Sequence, residues 1–170
     1  MKYFVYIMVA MCFPMHVFSQ DITGLWKGTL FNDDSKQTLD YEIFISKDKG
    51  KYTAYSHTWF LINEKKYYGI KKIKVRVAKD GKIIMQDAEL VDNNYPVAPN
   101  KNIQQLNVLD LANLGDEATL DGAFVTNDTK QYKGLTGHVN IKRVSPYSQS
   151  DLMPYLQKNK IENTLTVVAK

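Results

Sequence analysis

Between residues 23 and 144 the apolar side chains mostly alternate with polar ones instead of recurring every three or four positions. That period belongs to half-buried β-strands, not to amphipathic helices. It is clearest where Ile73, Val75 and Val77 interleave with Lys72, Lys74 and Arg76. Turn signals divide the chain into eight such runs, at residues 23–31, 40–46, 51–62, 66–79, 82–91, 104–112, 117–126 and 135–144. Asp80-Gly81 is the strongest of these signals, and Asp48-Lys49-Gly50 and Gly115-Asp116 mark further tight turns. No stretch between runs is long and periodic enough for a crossover helix. This argues against a parallel sheet and for an antiparallel meander. A meander of this length can close on itself, which removes both edges and leaves an interior for side chains or a ligand. The expected fold is all-β: an eight-stranded antiparallel up-and-down barrel with a short C-terminal helix.

The ends of the chain differ from the middle. Lys2 followed by the uncharged apolar run YFVYIMVAMCF, then Val17-Phe18-Ser19, has the form of an export signal cleaved after Ser19. A membrane anchor would need about 20 apolar residues, and a lipoprotein reading of Cys12 meets a bulky Met11 before it. The expected organisation is a signal peptide at 1–19, a barrel at 20–147, and a helix with a short strand packed on the barrel at 148–170. The destination is the periplasm or the extracellular space. Cys12 is the only cysteine, so the exported chain would have no disulfide and no thiol chemistry. Ser150-Asp151 starts a short amphipathic stretch to Lys160, with Leu152, Tyr155 and Leu156 on one face and Pro154 tolerated in the first turn. Residues 164–169 (TLTVVA) are β-prone.

Charge and motifs exclude several functions. Removing Lys2 with the signal lowers the net charge from +4 to +3, too little to imply nucleic acid. His57 and His138 show neither His-x-His nor His-Glu-x-x-His spacing. They read as surface or hydrogen-bonded strand residues. There is no Gly-x-Ser-x-Gly elbow, phosphate loop or dinucleotide fingerprint. Asp87 and Glu89 share one strand face beside many lysines and read as solvated positions, not as a glycosidase pair. Lys66, Lys72, Lys74 and Arg76, with Lys71 and Lys79 nearby, read as a solvated outer stripe. No catalytic residue, metal ligand or cofactor is expected.

Binding has better support. In a meander the connections at 32–39, 63–65, 92–103 and 127–134 fall at one end, and those at 47–50, 80–81 and 113–116 at the other. The longer connections thus gather at one mouth, where binding residues collect on such scaffolds. Segment 92–103 (DNNYPVAPNKNI) is too long for a hairpin, and Pro96 and Pro99 bar it from an inner strand. Its Tyr95 and Val97 are expected to turn inward as a lid or a plug. Trp59, Phe60 and Tyr67 belong to an aromatic group on runs three and four. With Tyr95 and Val97 they are the candidate ligand-contacting residues.

Gly24-Leu25-Trp26, opening the first run, resembles the Gly-x-Trp signature of the lipocalins, secreted eight-stranded ligand-binding barrels. The resemblance implies that Trp26 closes the barrel floor beside Gly24. It also implies that Arg143, near the end of run eight, packs over the indole, and that a helix follows. Ile22-Thr23-Gly24-Leu25-Trp26 also looks like the opening of the avidins, but Lys27-Gly28-Thr29 lacks their polar ligand contact, so biotin does not carry over. The resulting expectation is a non-enzymatic barrel that binds a small apolar or amphipathic molecule. The alternative is a barrel filled by its own side chains, acting as an envelope or extracellular module for proteins or glycans.

Overall fold

The computed structural model describes residues 21–97, 102–113, 117–145 and 148–161. The signal expected at 1–19 and the short strand expected at 164–169 lie outside them. Eight strands run in chain order: β1 (Gly24–Asn32), β2 (Thr38–Asp48), β3 (Lys51–Ile62), β4 (Lys65–Val77), β5 (Ile83–Asn93), β6 (Gln105–Ala112), β7 (Thr119–Thr126) and β8 (Thr136–Val144). Each pairs antiparallel with the next, and β8 returns to β1, giving a closed barrel. The short helix α1 (Leu152–Lys158) follows. The expected fold class is therefore the observed one.

Two turns show why the pairing is so direct. Lys49 and Gly50 join β2 to β3, and Asn63 and Glu64 join β3 to β4, all four at positive φ. Two left-handed residues in succession match the twist of paired strands. Asn63 and Glu64 thus form a tight hairpin at the mouth end, so only the other connections there are long.

Alternation sends one residue set inward. Trp26, Ile43, Ile45, Ala54, Ile73, Met85, Leu109, Leu120 and Ile141 belong to one fully or almost fully buried core. At the closed end Ile22, ahead of β1, is buried in the same core. Gly24 has φ 120°, a conformation that glycine adopts at little cost. There the chain turns from this plug into β1. Trp26 donates its indole N–H to the Ile22 carbonyl at 3.0 Å. Arg143 is paired in register with Trp26 across β8 and β1. Its guanidinium stands 5.0 Å from the indole ring centre and donates to the Asp21 carbonyl. Trp26 and Arg143 thus meet at the closed end of the barrel.

The outer face of β1–β4 carries a second apolar cluster. Leu25, Phe44 and Ile70 are buried there against Leu152, Met153 and Leu156 of α1. Asp151 sits at the helix N-cap but makes no side-chain cap bond. Ser150 takes that role by accepting the Met153 N–H at 3.1 Å. Glu42 of β2 adds a cap from outside the helix. Its carboxylate accepts the Leu152 N–H at 3.2 Å and the Ser150 hydroxyl at 2.6 Å, and pairs with Lys27 at 2.8 Å. This buried carboxylate fastens the C-terminal helix to the barrel.

Candidate functional site

The seam between β5 and β6 is the irregular part of the barrel. β5 carries extra residues opposite β4, with register shifts between Ile70 and Lys71 and between Lys72 and Ile73. Bulges of this kind bend a strand and raise its twist. β5 pairs with β6 only over residues 83–86. Beyond Gln86 the ladder stops and side chains span the gap. Asp87 accepts the Gln105 backbone N–H at 3.1 Å, and the Gln86 and Gln104 amides bond at 3.1 Å.

Above this seam the barrel opens into a cavity of about 940 Å³. Leu39, Phe60, Ile62, Leu90, Ile103 and Leu135 form much of its apolar wall, and Lys71 and Asp87 lie among its lining residues. Tyr95, Pro96 and Val97 contribute from the long β5–β6 connection. Tyr95 turns inward as expected: its ring centre lies 5.1 Å from that of Phe60. Gly69 makes room for it, since a Cβ there would sit 2.0 Å from the Tyr95 hydroxyl. Burial, with the Asp87 charge nearby, pushes the Tyr95 phenol up to about 12. Val97 reaches only the rim and is 75% exposed, so it does not turn inward as expected. The rest of the segment expected to act as a lid or a plug falls partly on residues 98–101, outside the described residues.

Of the remaining candidates, Tyr67 packs beside Phe60, with ring centres 6.2 Å apart. Trp59 does not join them. It is next to Phe60 in a regular strand, so it must take the opposite face. On the outside it meets His57, with ring centres 3.8 Å apart, and the Lys66 ammonium stands over its ring at 5.0 Å.

Two polar expectations are also corrected. Asp87 is not solvated: it is 6% exposed and pairs with Lys71 at 2.5 Å inside the barrel. Lys71 therefore leaves the outer basic stripe, because its neighbours Lys72 and Lys74 take the alternate positions in β4. Alternation itself sets Lys71 with Ile73, and Asp87 with Ile83 and Met85, on the inner face; their charge is what points to solvent in the sequence. Below the pair lie further buried polar groups. Tyr41 is 2% exposed, and its phenol is pushed up by burial and by the Asp87 charge. Asn107 is fully buried, with its Oδ1 accepting from Gln105 at 2.7 Å and its Nδ2 unpartnered. The cavity thus sets the Lys71–Asp87 pair among largely apolar side chains.

His138 is exposed and bonds Asp121 at 3.0 Å, as a surface strand histidine should. His57 departs from its expectation: it is 4% exposed, its Nδ1 has no partner, and it stacks on Tyr68. Burial holds its pKa below the ordinary 6.5, against the opposing charges of Glu42, Asp151 and Asp92, while Lys66 adds to the lowering. The unfolded chain therefore binds this proton more readily than the folded one. Stability from this group is full above pH 6.5 and is lost as pH falls from there through the folded value. Urea midpoints measured from pH 7.5 to 5 should fall more steeply for the wild type than for His57→Phe. Equal slopes would show that His57 carries none of the pH dependence.

Among the described residues, no group of three or more His, Cys, Asp or Glu is placed to hold a metal. No helix there is long and apolar enough to cross a membrane.

Comparison with protein-family models, with curated proteins and with solved structures finds no match. The reading of this site therefore rests on its own geometry.

Proposed function

We propose that this chain is an exported, non-catalytic, lipocalin-like barrel that carries a small apolar or amphipathic molecule in its open half. The observation that supports this most is the cavity of about 940 Å³ beside an inward Tyr95. Its volume lies within the roughly 300–1,000 Å³ of small-molecule sites. The closed half is packed by its own side chains around Trp26, so the ligand would occupy only the upper part. Affinity would come from removing apolar surface from water. About eight buried methylenes are worth roughly 6 kcal/mol before the costs of association. The floor geometry of Trp26 and Arg143 agrees with the lipocalin resemblance, and the Val17-Phe18-Ser19 pattern supports export.

One experiment tests both halves of this reading: native mass spectrometry of the protein purified from its own host. The expected mass is that of residues 20–170 plus a retained small molecule. An intact mass that includes residues 1–19 in folded material refutes export. A ligand-free mass, with nothing released by solvent extraction, refutes the carrier role.

A further inference from the structure

The inside of a small barrel is a costly place for an ion pair. Two charges lose their hydration there, and their attraction often does no more than offset that loss. An apolar pair of similar volume would pack the wall at least as well. Lys71 and Asp87 nevertheless meet at 2.5 Å, with side-chain exposures of 27% and 7%, and both line the cavity. Their bonding is unequal. The Asp87 carboxylate also accepts the Gln105 N–H. The Lys71 ammonium has three N–H donors, of which Asp87 takes one. The Tyr95 phenol, kept protonated by burial and by Asp87, also lines this cavity.

We infer that Lys71 and Asp87 read the head of an amphiphile, and that the head they select is neutral and both donates and accepts hydrogen bonds. A hydroxyl or primary amide has this chemistry. The inference rests on the carrier reading above and adds the ligand's class to it. A neutral head can accept from Lys71 and give its proton to a carboxylate lone pair while the ion pair stays intact. An anionic head gains from Lys71 but lies against Asp87, and Glu89 also lines the cavity. A cationic head gains from Asp87 but lies against Lys71. In a site of low dielectric each like-charge approach is penalised more heavily than in water. The selection thus works by repelling both charged classes. The apolar walls around Phe60, Leu90 and Ile103 take the tail.

The test uses three probes of equal chain length, 1-dodecanol, dodecanoate and dodecylammonium, titrated at pH 7.5 against the folded protein by displacement of a fluorescent apolar probe. The wild type should bind dodecanol about tenfold more tightly than either ion. Asp87→Asn retains an acceptor for the Gln105 N–H and leaves Lys71 without its counter-charge, so it should shift the preference to dodecanoate. Lys71→Met leaves Asp87 alone and should shift it to dodecylammonium. Circular dichroism before titration confirms that each variant is folded, and the wild-type ranking stands without them. Equal binding of all three probes, or preference of the wild type for an ion, overturns the head selection and leaves the carrier reading intact. Binding of none of the three overturns the carrier reading itself.

Discussion

Replacing Trp26 with alanine should lower the stability of the barrel by about 3–5 kcal/mol, the range for truncating a buried aromatic. Three losses combine at this position. The indole is completely buried in the core, so its removal leaves a cavity at the closed end. The Ile22 carbonyl loses its N–H partner, and with it goes part of the seating of the Ile22 plug. Arg143 loses the ring it stands over at 5.0 Å, a contact worth roughly 0.5–2 kcal/mol. Arg143→Ala should cost less, because Arg143 is only half-buried and its guanidinium bonds a backbone carbonyl. The two substitutions share a contact, so a double-mutant cycle by urea denaturation should give a coupling above about 0.5 kcal/mol. Full additivity would mean that the floor does not work as one unit.

The second large effect is expected at Asp87. Asp87→Ala should cost about 3 kcal/mol, the lower part of the range for breaking a buried ion pair. The lower part applies because Lys71 keeps 27% of its side chain exposed and water can partly replace the lost partner. The substitution also removes the acceptor of the Gln105 N–H, at the point where β5 has already left β6. Lys71→Met combined with Asp87→Leu should recover most of the loss, since no unpaired charge remains. The orphaned Gln105 N–H, which is only part-buried, should hold back about 1 kcal/mol of that recovery. A double variant no more stable than Asp87→Ala would show that the seam bond, and not the ion pair, dominates here.

These two sites differ in how visible they are before folding. Trp26 and Arg143 lie at the ends of regular strands, and strand order alone places both at the same end of a closed meander. Alternation places Lys71 and Asp87 on the inner face too, but their charge argues against it. A strict period of two sets Lys71 against the inward Ile73 correctly, but a lysine on that face contradicts composition rules, and Asp87 beside Glu89 resembles an ordinary solvated pair. Tyr95 was recognisable because an aromatic residue in a proline-marked loop is out of place in solvent. Trp59 fails for the opposite reason: composition draws it into the aromatic group, while its position next to Phe60 excludes it. The cap from Glu42 had no local signal, because donor and acceptor are more than a hundred residues apart.

The sequence by itself determined the number and order of strands, their antiparallel pairing, the closure of the barrel and the short terminal helix. Alternation, turn chemistry and the lack of crossover segments act over a few residues, and local rules suffice to read them. Tertiary structure alone decided the short β5–β6 ladder, the buried Lys71–Asp87 pair beside it, the space at Gly69 that admits Tyr95, and the burial of His57 near α1. Each of these depends on groups far apart in the chain. The period of two gives a residue's face, but not which distant groups it meets there. Those contacts arise only when bent strands close around one another and leave side chains to satisfy what the ladder does not.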